Sequence, residues 1–229
     1  MGPLNMRARE GDFVETSDGL FFDVKGLLHP PDRIVAYLRY YPDNRGTRLR
    51  DDVRYAKIYN LSGRRSLLKR KWPEYLYYDE VQGRELQGVP RNKIRNLYNP
   101  PKKPMAFLRS RQRDPLETNA IRLIQVLSHE SRLPSASFGI SGSLLVGLHR
   151  PGSDIDVVAY GAEESKRVHS AILSLLNNDQ CFRRYSARDL RRLYMRRGLQ
   201  RAIGFRDFVG QERRKVFEGK FMGHDYFLR

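Results

Sequence analysis

Asp154 and Asp156 flank a single apolar residue, Ile155, and the apolar run Val157, Val158, Ala159 follows directly. A strand carries residues i and i+2 on one face, so both carboxylates would point the same way while Ile155 turns into the protein. Two acids side by side repel unless a cation neutralises them. Hard oxygen donors suit Mg²⁺, which binds through one or two carboxylates and keeps its other positions for water and substrate phosphates. Upstream, across ten intervening residues, stand Gly142 and Ser143 at the end of a strand-like run. Gly142 lets the backbone approach a ligand, the Ser143 hydroxyl can donate to a phosphate oxygen, and a short helix starting there would aim free N–H groups at an anion. A solvated strand end also shows Asp-x-Asp; the Gly-Ser pair at this distance, between two strand-like runs, is what points to a metal and a phosphate.

These residues resemble the signature of the DNA polymerase beta-like nucleotidyltransferase superfamily: a hydrophobic residue, Gly, Gly or Ser, about ten residues, Asp, a hydrophobic residue, then Asp or Glu. The wording GISGSLLVGLH and SDIDVVAYG, with DGLFFDVKGLLHPPDRIVAYLRYYP upstream, is similar to uncharacterised archaeal predicted nucleotidyltransferases. The resemblance implies a mixed-sheet core like the polymerase beta palm, an NTP substrate, and Gly142, Ser143 and Ser153 at the nucleotide. It also implies two Mg²⁺ (or Mn²⁺) ions held by Asp154, Asp156 and a third carboxylate on a later strand. Asp225, followed by Tyr226, Phe227 and Leu228, is the best candidate; Asp207 falls on a helical pattern and Asp179 in a polar turn. His224 departs from a purely apolar flank, and the sequence ends four residues after Asp225, which leaves base selection unassigned. His149 and Arg150, in the ten-residue gap, read equally as triphosphate contacts or as surface loop.

Lys and Arg number 43 against 26 acids, a net charge of +17 and a pI near 10.2. Such an excess concentrates polyanions, and nucleic acid, RNA above all, is the expected partner. No run of 18 apolar residues exists, so no membrane span is expected. Cys181 is the only cysteine, which excludes an internal disulfide and a cysteine zinc cluster and fits a cytoplasmic setting. Oligomeric state is left open.

The fold class expected is α+β: a β-rich basic domain over 12–98, a linker over 99–113 and a nucleotidyltransferase domain over 114–229, after an eleven-residue disordered or tag-derived tail. Leu20–Leu28 and Arg33–Tyr41 read as a hairpin about His29-Pro30-Pro31-Asp32. Alternation in its second strand puts Ile34, Ala36, Leu38 and Tyr40 inward and Val35, Tyr37, Arg39 and Tyr41 outward. The outward set either stacks on bases or simply suits a pleated sheet. Further strands are expected at 53–59 and 74–78, and a short helix at 90–97. The run from Asn99 to Pro104 is expected to be non-helical. After it come a helix opened by Asp114-Pro115, strands at 136–141 and 154–160, and helices at 163–176, from Ser186 on, and at 205–218.

Two basic clusters are candidate nucleic-acid contacts. Arg64, Arg65, Lys69, Arg70 and Lys71 fall on a short helix or loop, and Arg188, Arg192 and Arg196 recur at i, i+4 on one helix face, where like charges repel. The latter read alternatively as partners of acids elsewhere. Three functions follow: nucleotidyl transfer to RNA, transfer to a protein or small molecule, or a silent core that binds nucleic acid.

Overall fold

The structure, a computed structural model, describes residues 7–110, 112–200 and 202–229. It divides into two compact units, one running to Asn99 and taking in Leu145–His149, the other made of Pro100–Leu144 and Arg150–Arg229.

The first unit contains β1 (Phe13–Thr16), β2 (Phe21–Val24), β3 (Arg33–Pro42), β4 (Arg48–Arg50), β5 (Val53–Lys57), α1 (Leu61–Lys71), β6 (Leu76–Asp79), β7 (Arg84–Pro90) and β8 (Ile94–Tyr98). The strands pair in the order β4-β5-β3-β2-β1-β8, with β7 on β3 and β6 on β7. Period-two alternation holds only in the first part of β3, where Ile34, Ala36 and Leu38 bury in one core; Val35, expected outward, is buried too, and a register shift against Phe21 and Phe22 places Tyr40 in the other core with Phe21 and sets Tyr41 against the first. Asn60 caps α1 by accepting the Gly63 N–H. The cluster of Phe13, Phe21, Tyr40 and Tyr55 is completed by Leu145, Val146 and Leu148, so half of the ten-residue gap belongs to this core.

Several expectations are corrected here. Gly26, at φ +75°, turns the chain after β2 and leaves Leu27 and Leu28 exposed rather than in a strand. Residues 90–97 are not a helix. A 3₁₀ turn over Arg91–Lys93 leads into β8, whose pairing of Leu97 with Val14 sets Ile94 and Leu97 against the core. Residues 7–11 are no loose tail, since Ala8 is buried and its carbonyl bonds His29 Nε2; the first six residues of the expected tail lie outside the described residues.

The second unit contains α2 (Lys102–Arg109), α3 (Pro115–Ser131), β9 (Phe138–Ile140), α4 (Gly142–Leu145), β10 (Ile155–Ala159), α5 (Ala162–Asn178), β11 (Phe182–Arg183), α6 (Ala187–Arg197), α7 (Phe205–Glu212), β12 (Glu218–Phe221) and β13 (His224–Leu228). A five-stranded sheet runs β11-β12-β13-β10-β9, with β10 and β13 parallel and the other pairs antiparallel. Leu116, Ala120 and Leu127 of α3 and Val168 and Ile172 of α5 share one core with Ile155, Val157, Tyr226 and Leu228. The class is therefore α+β, a mixed-sheet core following a β-rich region.

The proline-rich stretch departs from the non-helical expectation. Pro104 is the third residue of α2, in the first turn, where a helix makes no use of the N–H that proline lacks. Phe107 then buries in the core of this unit, so 99–113 is packed chain rather than bare linker; Arg111 lies outside the described residues. Helix α7 stops at Glu212, short of 218, because Glu218 opens β12, which turns into β13 through Met222 and Gly223, both at positive φ (47° and 85°).

Gly139 faces Pro100 so closely that an added Cβ would lie 2.6 Å from the Pro100 carbonyl carbon. Gly139→Ala is expected to lose about 1–3 kcal/mol of stability through overpacking, read as a lower urea midpoint at unchanged slope.

Candidate active site

Strand β10 pairs Ile155 with Tyr226 and Asp156 with Phe227 of β13. Ile155 and Tyr226 are buried in the core, so alternation sends Asp154 and Asp156 from one strand and Asp225 from the other to the opposite face. Antiparallel neighbours usually come from one hairpin, but this parallel pair brings together residues about 70 positions apart in sequence.

Each carboxylate meets a cation. Arg196 Nη1 lies 3.4 Å from Asp154 Oδ1 and 3.9 Å from Asp225 Oδ2, so the two acids share one guanidinium. Lys220 Nζ, opposite Asp225 in the β12–β13 register, donates to its Oδ1 at 2.5 Å. Arg192 Nη2 is 3.9 Å from the same oxygen, and Arg229 Nη2 is 3.9 Å from Asp156 Oδ1. Burial opposes the charge on Arg196, but Asp154 and Asp225 outweigh it and hold its pKa above the ordinary value. Burial, then the charges of Asp225, Glu218 and Asp154, push the Tyr185 phenol up beside them.

Gly142 supports Asp156 from below. It sits at φ +62°, and a Cβ there would lie 1.8 Å from Asp156 Oδ2, while the Ser141 N–H donates to the Asp156 carbonyl at 2.8 Å. Ser143 is buried in the first turn of α4. Ser153 is buried too, and its Oγ accepts the Arg150 N–H at 2.9 Å, closing the turn that delivers Asp154. Arg150 itself is exposed and His149 half-buried.

The basic candidates divide. Arg64 is not a surface contact: it is buried and donates to the Ile58 and Tyr59 carbonyls, and burial, joined by the nearby Arg39 charge, brings its guanidinium down to about 10. Arg65 is exposed but bonded to Glu85 at 2.5 Å, whereas Lys69, Arg70 and Lys71 are exposed. Arg188 is exposed, while Arg192 and Arg196 turn to carboxylates, the alternative that the i, i+4 pattern left open. Sequence reasoning missed Lys220, Tyr185 and Arg229. For Lys220 a signal exists: a two-residue turn at Met222-Gly223 implies a hairpin, and a hairpin sets Lys220 against Asp225.

Residues 121–220 match the family described as Nucleotidyltransferase domain. Over that stretch, a little under half of its length, the chain is similar to nucleotidyltransferase domains. The match takes in Gly142, Ser143, Ser153, Asp154 and Asp156, and stops at Lys220, short of Asp225. The uncharacterized protein MJ1086 of Methanocaldococcus jannaschii is 27% identical over 222 residues, covering 93% of this chain and 65% of its own length. The chain thus spans about two-thirds of that relative. No solved structure matches the chain. Among the described residues, no helix is long and apolar enough to cross a membrane.

At the edge of this carboxylate cluster, Asp189 closes a capping box with Ser186 and pairs with Arg183 and Arg192. Burial works against its charge, but the Ser186 and Arg183 hydrogen bonds prevail and lower its carboxyl from 3.8 to about 2. Because the folded value is depressed, the stability it contributes is present above the unfolded value and is lost as pH falls from about 4 to about 2. Asp189→Asn is expected to be less stable at pH 7 and to lose less further stability across that acid window, as read by urea melts at each pH.

Proposed function

We propose that the protein transfers a nucleoside monophosphate from an NTP to an acceptor hydroxyl on RNA. The observation that carries this reading is that Asp154 and Asp225, distant in sequence, share the Arg196 guanidinium on the sheet face that also bears Asp156. A place that gathers carboxylates and already draws a cation fits divalent metal, and oxygen donors alone fit Mg²⁺ or Mn²⁺. Bound there, such ions, two in the family's scheme, would stabilise the entering and leaving oxygens of in-line displacement.

The chain's own residues divide the remaining work. Asp154 and Asp156 would hold the nucleotide's ion, and Asp225, fixed in direction by Lys220, would hold the second. Gly142 and Ser143 shape the corner beside Asp156 where the triphosphate lies, and Ser153 contributes by holding the turn before Asp154. The acceptor hydroxyl gives up its proton to solvent and its oxygen bonds to the α-phosphorus as the bond from α-phosphorus to the bridging oxygen breaks, so that pyrophosphate leaves. Arg192 and Arg196, released from the carboxylates, carry charge that a triphosphate or RNA backbone can meet.

With Mg²⁺ and labelled NTPs the protein is expected to label short RNA, and Asp154→Ala with Asp156→Ala to abolish labelling. Activity surviving the double change would sink the assignment of this site.

A second reading, a silent core, draws on the same cations: Arg192, Arg196 and Lys220 already neutralise the acids. Calorimetric titration with Mn²⁺ separates the two. Arg196→Gln removes a competing charge and is expected to tighten Mn²⁺ binding about fivefold. No binding in either protein would favour the silent core.

A further inference from the structure

Helix α6 sorts its arginines by face. Arg188, Arg191, Arg192 and Arg196 recur at i, i+3, i+4 and i+8, which places them on one side of the helix together with Met195, and all five are exposed. Leu190, Leu193 and Tyr194 take the other side and pack with Phe208 of α7. Arg197, on the side of Leu193 and Tyr194, donates to Glu212 at 2.8 Å and to Glu218 at 2.7 Å. The inner cation is matched by acids, whereas the outer row is matched at one end. Arg196 reaches Asp154 and Asp225, and Arg192 reaches Asp189 and Asp225. Among the described residues, no carboxylate lies within ion-pairing distance of Arg188 or Arg191. Asp207, exposed in the first turn of α7, pairs with neither.

Keeping cations at this unmatched end has a cost. Arg188 stands in the first turn of α6, where the helix dipole already presents positive charge, and Arg188, Arg192 and Arg196 are like charges one turn apart. Arg191 is held in place, because its guanidinium lies 5.5 Å from the centroid of the Phe205 ring, which itself meets Tyr194 edge to face. From Arg196 to Arg188 the helix rises about 12 Å, so the row begins at the candidate site's carboxylates and leads away from them. An anion that lies along it must repeat its charge, as the phosphates of a nucleic-acid backbone do.

We infer that Arg188, Arg191, Arg192 and Arg196 form one row that grips the RNA backbone next to the acceptor hydroxyl. The inference rests on the proposal that RNA is the acceptor, and it names the helix face along which that acceptor lies.

Binding of a fluorescein-labelled RNA of about 12 nucleotides to the full chain, read by anisotropy over a range of KCl and without NTP, tests the row apart from transfer. Arg188→Gln with Arg191→Gln is expected to weaken binding roughly tenfold and to flatten the salt dependence by about one and a half counterions. Arg188→Gln alone relieves repulsion, so its urea midpoint should stand at or above that of wild type, which a structural role would not allow. Uncharged methylphosphonates at the end of the RNA that takes the label should cost wild type affinity and cost the double variant little. Unchanged affinity and salt slope in the double variant would overturn the row while leaving RNA as acceptor intact; so would a lowered midpoint for Arg188→Gln, which would give that arginine to the fold. Polyglutamate of equal charge, binding as tightly and losing as much in the double variant, would make this a surface for acidic protein and overturn the assignment to RNA. Binding that weakens as expected, in a wild type that labels no RNA, would sustain the row and sink the transfer reading. Absence of both RNA binding and labelling would overturn both.

Discussion

The carboxylates of Asp154, Asp156 and Asp225 stand on one face of two adjacent strands, where their like charges repel. The surrounding structure supplies the compensation. Arg192 and Arg196 come from α6, Lys220 from the strand beside β13, and Arg229 from the residue just after β13. Helices α6 and α7 lie between β11 and β12 and carry a small core of their own, Leu190, Leu193, Tyr194 and Phe208, which lets them hold those arginines at a fixed place. From residue 184 to 217 the sequence has eleven Arg or Lys against three acids, so much of the chain's positive excess sits next to its densest negative charge.

That arrangement was half legible in the sequence. Asp154 and Asp156 could be read because alternation in a strand is local: Ile155 is apolar and must be buried, so its neighbours must not be. Asp225 could be placed on a strand by the same rule, but its register against β10 is a long-range property that no local pattern carries. The pairing partners were hidden for the same reason. The i, i+4 spacing of Arg188, Arg192 and Arg196 was visible, yet it reads identically whether the arginines face a polyanion or nearby acids, and only the position of α6 against β13 decides.

Local chemistry misled in two places where tertiary packing overrode it. Three prolines between residues 100 and 104 spoke against a helix, but proline is costly only where its N–H would be used, and the first turn spares it. Arg64 looked like any member of a basic run. Its burial follows from helical geometry, since it shares a face with Leu67 and Leu68, which α1 sets against the core, and the two carbonyls at the end of β5 give its guanidinium somewhere to donate.

The segment Leu145–His149 has the most physical consequence for how the signature is written. Ten residues between Ser143 and Asp154 would be generous for a plain loop from α4 to β10. Here Leu145, Val146 and Leu148 are buried among Phe13, Phe21 and Tyr40, and Arg48 donates to the Leu148 carbonyl. The gap is therefore core in its first half and turn in its second, where Arg150 and Ser153 bond each other to present Asp154. Shortening it would cost burial of apolar side chains as well as the turn, so its length and its leucines are set by packing rather than by the nucleotide.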